Sequence, residues 1–307
     1  MEKVYFIVNK SSKTGYGAEI WKEIEKYLKE HSIEYEAFFT KKVSHATVLM
    51  RDLCKSKDHI TVGVMGGDGT LNEAIQGITD FSKVELVYLP TGSGNDFARG
   101  IGLTGSTEDI LKRAFIDGKT KNVDIGEVEF SDGVKKRFAV SSGAGVDAYV
   151  CYQALDSKLK RFLNLFKLGH LTYSLLSVFD LFSMPLCEAK VTVDGQEMTY
   201  KNAIFIAAMN GPFEGGGVPM SPNAVMDDGK LSAMIVSDIA RLKCFFMLPK
   251  LLKAKHVGLK GFNGVDFEKM HVKLEKPMYV HTDGEVCGLK DELTFTCLKG
   301  VLKVRGV

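Results

Sequence analysis

Two glycine-rich segments of this chain have the composition of phosphate-binding loops. The first, residues 66–70, reads GGDGT and follows the apolar run 62–65; the second, residues 91–97, reads TGSGNDF and follows Leu89-Pro90. Glycine lets the backbone approach a ligand closely and adopt positive φ. A helix that begins at such a loop offers free N–H groups and a partial positive charge to phosphate oxygens. Both segments therefore predict binding of a phosphate-containing ligand.

The first loop also contains a single carboxylate, Asp68. Next to a polyphosphate this side chain would be repelled unless it held Mg²⁺ or took up a proton. Thr70 is placed to cap the helix that follows, with Glu73 as its capping-box partner. The alternative interpretation is a tight glycine turn with an exposed aspartate.

The elements that carry these loops are predicted from hydrophobic periodicity. Apolar runs at 4–9, 34–40, 60–65 and 84–89 indicate strands, and residues 16–31, 44–55 and 70–78 have helical spacing. Alternating strands and helices imply a mostly parallel sheet covered on both faces. Ligands bind at the carboxyl ends of such strands, and both glycine-rich loops belong to that edge.

After about Lys121 the pattern changes to short strands. They are predicted at 123–130, 137–142, 189–194, 197–209, 230–236, 270–274, 278–281 and 293–297, with a helical stretch at 147–184 and a hairpin signal at Asp194-Gly195. This pattern is typical of an antiparallel sandwich or open barrel. We place a domain boundary near Lys121, which gives an α/β domain at 1–121 and a β-sandwich domain at 122–297, with residues 298–307 packing back on the first domain.

Composition excludes several classes of protein. The 307 residues are 45% hydrophobic and 25% charged, and the net charge of +2 is too small to indicate nucleic acid as a partner. The longest apolar-rich stretch, 162–186, contains Lys167, His170 and Asp180, which argues against a membrane span. The six cysteines form no C-x-x-C pair, so we expect free thiols in a cytoplasmic protein and no zinc site.

The two loop motifs carry a specific resemblance. GGDGTLNE at 66–73 and PTGSGNDFARG at 90–100 resemble the diacylglycerol kinase catalytic domain family, which includes bacterial soluble lipid kinases and sphingosine kinases. The first motif is shared more loosely with NAD kinases and phosphofructokinases, and the second narrows the choice to lipid kinases. The resemblance implies a Rossmann-like α/β domain followed by a β-sandwich domain, with ATP in the cleft between them.

The resemblance also implies which residues contact ATP, although Lys10 stands where the family usually has proline after Asn9. The implied contacts are Asn9, Thr40, Gly66, Gly67, Asp68, Gly69, Thr70, Leu71, Asn72, Glu73, Ser93 and Asn95.

A second acidic segment, HTDGE at 281–285, would by itself be read as a turn. The resemblance implies that it faces the γ-phosphate and supplies carboxylates for catalysis. Phosphoryl transfer to an alcohol needs a carboxylate that accepts the hydroxyl proton. The candidates are Asp283, Glu285 and Asp68. We favour Glu285 or Asp283 as the base, with the loop aspartate as the alternative.

A cation segment is implied at 221–231. It matches the family pattern P-x-A-x-x-x-D-G-x-L, in which a structural cation is held by the Asp before Gly and by backbone carbonyls. The matching positions are Asp228 and the carbonyls of Val225 and Lys230, and oxygen ligands of this kind suit a hard cation. An acidic turn leading into a strand is the alternative. The implied cofactors are ATP and Mg²⁺.

Two basic and apolar stretches are candidates for membrane contact. Residues 239–265 contain six Lys or Arg and no Asp or Glu, interleaved with Phe245, Phe246, Met247, Leu248, Leu251 and Leu252, and KLKRFLNLF at 158–166 is similar. Each suits either an anionic membrane surface or a core-packed helix with a solvated basic face. We expect peripheral membrane contact and no stable protein partner, and a homodimer stays open.

Together these features predict an ATP- and Mg²⁺-dependent kinase that phosphorylates the hydroxyl of a membrane lipid. Diacylglycerol is the first expectation and a sphingoid base the second. The alternatives are a kinase for a soluble alcohol such as NAD and a non-catalytic lipid- or nucleotide-binding regulator.

Overall fold

The structure is a computed structural model that describes residues 3–12, 15–156 and 184–307. Its first half alternates strands with helices, as the periodicity predicts. The strands are β1 (Val4–Val8), β2 (Tyr35–Phe39), β3 (Ile60–Gly66) and β4 (Val84–Pro90). The helices are α1 (Gly17–Glu30), α2 (His45–Ser56), α3 (Asp68–Gly77), α4 (Asp96–Gly100) and α5 (Thr107–Phe115).

The strands of this half form a parallel sheet in the order β2-β1-β3-β4. Every residue of β1 and β3 is buried, as expected for parallel strands with helices on both faces. Because the strands are parallel, β3 and β4 end side by side, with Gly66 paired to Pro90. The two glycine-rich loops therefore leave the sheet at one edge.

The second half is mainly antiparallel. Its elements are β5 (Thr120–Phe130), β6 (Lys135–Phe138), β7 (Ser141–Gly145), α6 (Val146–Asp156), β8 (Cys187–Val193), β9 (Gln196–Ala203), β10 (Phe205–Met209), β11 (Leu231–Val236), α7 (Arg241–Leu252), β12 (Phe262–Phe267), β13 (Lys269–Thr282) and β14 (Glu285–Arg305). An apolar cluster distinct from the one in the first half packs between these strands. The predicted class, an α/β half followed by a β-sandwich-like half, is confirmed.

Strand β14 connects the two halves into one sheet. It pairs antiparallel with β13 and β5, and its residues Lys303–Arg305 pair parallel with β4. Leu302 and Val304 are fully buried in the apolar cluster of the first half. The boundary predicted near Lys121 falls inside β5, which pairs with β14 on both sides of a register shift between Leu298 and Leu302, so the division at that residue stays a prediction.

Several strand boundaries differ from the prediction. The segment 137–142 is divided between β6 and β7, and 197–209 is divided into β9 and β10 at Ile204. Conversely, 270–274 and 278–281 belong to one strand, β13, whose ladder shifts register at a bulge that contains Pro277. Proline cannot donate to a ladder, which explains the interruption. Strand β12, which pairs with β11, was not predicted because it begins inside the basic stretch.

Part of the predicted helical stretch at 147–184 is confirmed as α6, and the basic stretch at 158–166 lies outside the described residues. Within the residues that the structure describes, no helix is both long and apolar enough to cross a bilayer.

Gly63, in the centre of β3, allows a close contact with β1. A Cβ atom added to it would lie 2.3 Å from the Phe6 ring, which is itself fully buried. We expect Gly63→Ala to lower the free energy of unfolding by about 1–3 kcal/mol, because neither β1 nor the ring can move away. Gly69→Ala is the matched control, since an added Cβ there meets nothing within 4 Å. Equal denaturant midpoints for Gly63→Ala and the unmodified chain would contradict this packing.

Candidate active site

The two glycine-rich loops meet backbone to backbone. The Thr91 N–H donates to the Gly66 carbonyl at 2.8 Å. A Cβ atom on Gly92 would lie only 2.7 Å from the Cα of Gly67, so the loops can approach this closely only because both residues are glycine. Space is open beside Gly69, where an added Cβ meets nothing within 4 Å. The two loops therefore form one site, and the space beside Gly69 of the first loop is open to a ligand.

Asp68 links the first loop to the helix that follows the second. Its Oδ2 accepts the N–H of Asp96 at 3.1 Å, and its Oδ1 accepts the N–H of Phe97 at 3.3 Å, at the beginning of α4. Burial raises the pKa of Asp68; these backbone hydrogen bonds oppose the rise, and the carboxylate of Asp96 adds to it. The interpretation of Asp68 as an exposed turn residue is excluded.

The predicted capping box at Thr70 and Glu73 is wrong. Helix α3 already begins at Asp68, because Gly67 is extended and takes the cap position. Thr70 is therefore inside the first turn, where its Oγ1 accepts a hydrogen bond from Asn9 Nδ2 at 3.0 Å. Glu73 reaches the neighbouring helix instead, and its Oε2 accepts the N–H of Ala46 at 3.1 Å in the first turn of α2.

A cavity of about 240 Å³ opens beside the first loop. Four of the predicted ATP contacts surround it: Asn9, Thr40, Thr70 and Glu73. Lys41 and Lys42 also line this cavity, and they were not among the predicted contacts. Their two cations suit an anionic ligand, and the signal for them was their position directly after the strand that ends near Thr40.

The remaining predicted ATP contacts have varied surroundings. Ser93 is exposed on the second loop, whereas Leu71 is fully buried in the core. Asn95 is in the left-handed region, with φ of 55°, and its amide accepts from Gly92 N–H at 2.9 Å and donates to Gly92 carbonyl at 3.1 Å. This side chain therefore holds the shape of the second loop.

The acidic segment forms a tight hairpin between β13 and β14. Thr282 pairs with Glu285, and Asp283 and Gly284 have φ of 47° and 82°, as in a two-residue turn of the I′ type. Asp283 is partly buried beneath this turn. Its Oδ1 accepts the N–H groups of Val140 and Ser141, both at 2.9 Å.

The other oxygen of Asp283 is also engaged. Its Oδ2 accepts the Ala139 N–H and the Asn72 Nδ2, both at 2.7 Å. Asn72 belongs to α3, so one buried carboxylate fixes the acidic hairpin to the helix that begins at the first glycine-rich loop. With four hydrogen bonds on two oxygens, Asp283 is suited to anchoring this hairpin and poorly suited to accepting a substrate proton.

Glu285 is the more open of the two hairpin carboxylates. Its side chain is about one-third exposed, and its Oε2 lies 3.9 Å from Lys136 Nζ. Burial raises the pKa of Glu285; Lys136 opposes the rise and Glu73 adds to it. A carboxylate whose pKa is raised is a better proton acceptor near neutral pH than an ordinary one.

A buried acidic and histidine cluster lies behind the hairpin. His281 Nε2 is 3.2 Å from Asp147 Oδ2 and 3.4 Å from Glu214 Oε1, and Ser141 Oγ donates to the same Glu214 oxygen at 2.8 Å. Burial lowers the pKa of His281, but the hydrogen bond to Asp147 and the two carboxylate charges outweigh it and raise the pKa to about 9. Asp147 and Glu214 were not predicted as site residues, and the pairing of β7 with β10 and β13 brings them together.

The predicted cation segment lies on the surface. Val225, Asp228 and Lys230 are all exposed, and Asp228 Oδ1 accepts the N–H of Lys230 at 3.0 Å. Its role as a cation ligand stays a prediction. The buried carboxylate of this region is Asp124, which the sequence analysis missed. It accepts the N–H groups of Gly229 at 2.7 Å and Gly300 at 2.6 Å and so ties the segment to β14.

The His281 pKa predicts a pH-dependent contribution to stability. Because the folded-state pKa of about 9 is above the ordinary value of 6.5, this contribution is complete below about pH 6.5 and is lost as the pH rises through 9. The difference in free energy of unfolding between the unmodified chain and His281→Gln should fall by up to about 3 kcal/mol between about pH 6 and pH 10. Denaturant unfolding of both proteins at each pH measures this. His59→Gln, at an exposed position, is the control, and a difference for His281→Gln that does not change with pH would refute the assignment.

Comparison with known families covers nearly the whole chain. Residues 3–128 match the family described as "Diacylglycerol kinase catalytic domain", and residues 140–305 match the one described as "YegS C-terminal NAD kinase beta sandwich-like domain". The second match alone includes more than half of the chain. The first match ends inside β5 and the second begins just before β7.

Curated relatives agree with these matches. The chain is 27% identical to the Bacillus subtilis protein named "Putative lipid kinase YtlR", over 94% of both chains. It is 26% identical to a diacylglycerol kinase of the same organism, over 94% of this chain and 91% of the relative. A diacylglycerol kinase of Mycobacterium tuberculosis is also 26% identical, over 76% of this chain and 73% of the relative.

Solved structures share the fold. A diacylglycerol kinase from Bacillus anthracis superposes with a TM-score of 0.75 at 23% identity, over 100% of this chain and 97% of that one. An NAD kinase from Archaeoglobus fulgidus in complex with ATP superposes with a TM-score of 0.53 at 15% identity, over 99% of this chain and 93% of that one. The fold is thus common to both kinds of kinase. The chain belongs to the family that combines a diacylglycerol kinase catalytic domain with a YegS-type C-terminal domain.

Proposed function

We propose that this chain transfers the γ-phosphoryl group of ATP to the hydroxyl of a membrane lipid, with diacylglycerol as the first expected acceptor. The observation that carries the proposal is the hydrogen bond of 2.7 Å between Asn72 and Asp283. It holds the acidic hairpin against the helix that begins at the glycine-rich loop. This contact supports a site in which the loop backbone binds phosphate and a hairpin carboxylate accepts the proton.

Binding of the nucleotide is supported by the first loop and its cavity. The N–H groups in the first turn of α3 would donate hydrogen bonds to phosphate oxygens. The open space beside Gly69 leaves room for those phosphates. Asn9, Thr40 and the two lysines around the cavity supply polar and cationic contacts. The solved NAD kinase of the same fold is in complex with ATP, which supports ATP as the donor here.

The carboxylates of the loops fit Mg²⁺. A Cβ atom on Gly94 would lie 3.1 Å from Asp68 Oδ2 and 3.6 Å from Asp96 Oδ2, so two carboxylates flank the second loop. Each Asp68 oxygen accepts one of the backbone hydrogen bonds described above and keeps acceptor capacity, and Mg²⁺ prefers oxygen ligands. When bound, the ion would offset negative charge on the phosphates.

Glu285 is assigned as the base that accepts the proton of the lipid hydroxyl. As the lipid hydroxyl oxygen bonds to the γ-phosphorus, its proton passes to the Glu285 carboxylate, and the bond from the γ-phosphorus to the bridging oxygen breaks to release ADP. The half-buried position and raised pKa of Glu285 support this role. Asp283 and Asn72 act as positioning residues that hold the hairpin.

The lipid is proposed from the relatives. Several curated relatives are named diacylglycerol kinase, at 26–28% identity, so diacylglycerol is the first expectation and a sphingoid base the second. An NAD kinase is the soluble-substrate alternative, because an NAD kinase shares the fold.

A lipid panel tests the proposal. The full chain is incubated with labelled ATP, Mg²⁺ and detergent micelles that contain diacylglycerol, a sphingoid base or no acceptor lipid, and NAD is tested separately. We expect labelled phosphatidic acid from diacylglycerol. Labelled sphingoid phosphate alone would move the assignment to the second lipid. Labelled NADP alone, or ATP binding with no product, would contradict a lipid kinase.

Glu285→Gln tests the proton acceptor. The amide keeps the size of the side chain but accepts no proton, so we expect kcat to fall by about 10²–10⁴-fold with little change in the KM for ATP. Glu197→Gln, an exposed change on β9, is the matched control and should leave kcat unchanged. Near-normal turnover by Glu285→Gln, with thermal unfolding equal to that of the unmodified chain, would move the role to another carboxylate.

A further inference from the structure

Helix α7 has one apolar side in the core and another in solvent. Cys244 and Leu251 are buried in an apolar cluster with residues of β10 and β11. On the other side, Leu242, Phe246 and Leu252 are 59%, 65% and 62% exposed. At 100° per residue these three side chains lie within about 120° of the helix circumference, so they form one face.

Lysines surround this apolar face. Lys243, Lys250 and Lys253 are exposed on the helix or at its end, and Lys255 and Lys260 are exposed in the turn that follows. No Asp or Glu occurs between residues 239 and 265. In the part of the chain that the structure describes, no carboxylate lies within ion-pair distance of any of these five lysines. We call this surface, with Leu242, Phe246 and Leu252, the α7 face.

The α7 face adjoins a loop that also contacts the second glycine-rich loop. Val218 and Met220 pack on the same apolar cluster as α7, and His256, just after the helix, contacts the Met220 carbonyl through Nε2 at 3.0 Å. A few residues earlier in that loop, the Gly216 N–H donates to Asp96 Oδ2 at 2.7 Å beside the second glycine-rich loop. A surface bound to α7 is therefore only one loop away from the phosphate site.

These observations favour one kind of partner. Exposed aromatic and aliphatic side chains with uncompensated lysines around them are the composition of a helix that lies in the interface of an anionic bilayer. We propose that the α7 face docks this chain on an anionic membrane, with Leu242, Phe246 and Leu252 among the acyl chains and the lysines at lipid phosphates. The biological role of this docking rests on the proposed lipid kinase activity, but membrane binding itself can be measured without catalysis.

Vesicle co-sedimentation tests the docking surface. The unmodified full chain should pellet with vesicles of phosphatidylcholine and phosphatidylglycerol and stay in the supernatant with phosphatidylcholine alone. Phe246→Ser combined with Leu252→Ser should lower the partition coefficient by about 10-fold or more. Lys243→Glu, Lys250→Glu and Lys253→Glu together should lower it by about 100-fold or more. Ile116→Ser, which is 52% exposed elsewhere, and a triple change of Lys22, Lys190 and Lys276 to Glu are the matched controls and should bind like the unmodified chain.

The outcomes separate docking from function. All variants should phosphorylate a short-chain, water-soluble acceptor at the unmodified rate, because no changed residue is in the candidate active site. An unmodified chain that does not bind the anionic vesicles, or lysine controls as weak as the α7 variants, would overturn the docking proposal whatever the kinase assay shows. Absence of turnover with normal vesicle binding would overturn the function and leave the docking result intact. Light scattering tests whether the α7 face binds a second copy of the chain instead. If the unmodified chain is a dimer, the Phe246 and Leu252 changes convert it to a monomer and vesicle binding is unaltered, the face is a dimer interface and the docking proposal is overturned.

Discussion

A carboxylate that is removed from water must have its oxygens hydrogen bonded, and the candidate active site depends on one residue that meets this requirement. Asp283 accepts three backbone N–H groups from the segment 139–141 and one amide N–H from Asn72. Losing any of these donors would leave this largely desolvated charge with fewer hydrogen bonds, which is more costly than an ordinary surface change. The acidic hairpin, the connection between β6 and β7, and helix α3 are therefore fixed to each other at this carboxylate. The position of Glu285, two residues further on, follows from that arrangement.

A second constraint acts where the loops approach each other. The backbones of Gly67 and Gly92 are so close that a Cβ atom on either residue would crowd the other, so the two glycine-rich loops pack directly against each other. Asp68 adds to this by accepting the first N–H groups of α4, which leaves its own helix, α3, capped by the backbone of Gly67. The carboxylate thus has a structural explanation as well as a chemical one. These two roles are compatible because two carboxylate oxygens offer about four acceptor positions, more than the backbone N–H groups that Asp68 accepts here.

The features that could be predicted from the sequence are those that depend on residues close together in the chain. Periodicity gave the alternation of β1 to β4 with helices, and the glycine-rich motifs gave the loops at their ends, since both depend on residues close in sequence. The turn chemistry of Asp194-Gly195 was likewise sufficient for the hairpin of β8 and β9. Long-range pairing was not available from such patterns. The length of β14, the division at Ile204 and the meeting of Asp147, Glu214 and His281 are set by partner strands far away in the sequence. Glu73 shows the same limit, because its best partner was the N–H of another helix, and not the cap of its own.

Strand β14 also has a consequence for how the molecule forms. Lys303–Arg305 supply the neighbour that β4 lacks, and Leu302 and Val304 complete the core of the first half. During synthesis, therefore, the β4 edge of this sheet stays unpaired until residues 302–305 are available. Pairing of segments more than 200 residues apart has a large loop-closure cost, so it is slow, and an uncovered strand edge is prone to associate with other chains in the meantime. The strand that joins the two halves in the folded state is therefore also the reason why the first half, before β14 is made, is exposed to aggregation and would benefit from chaperones.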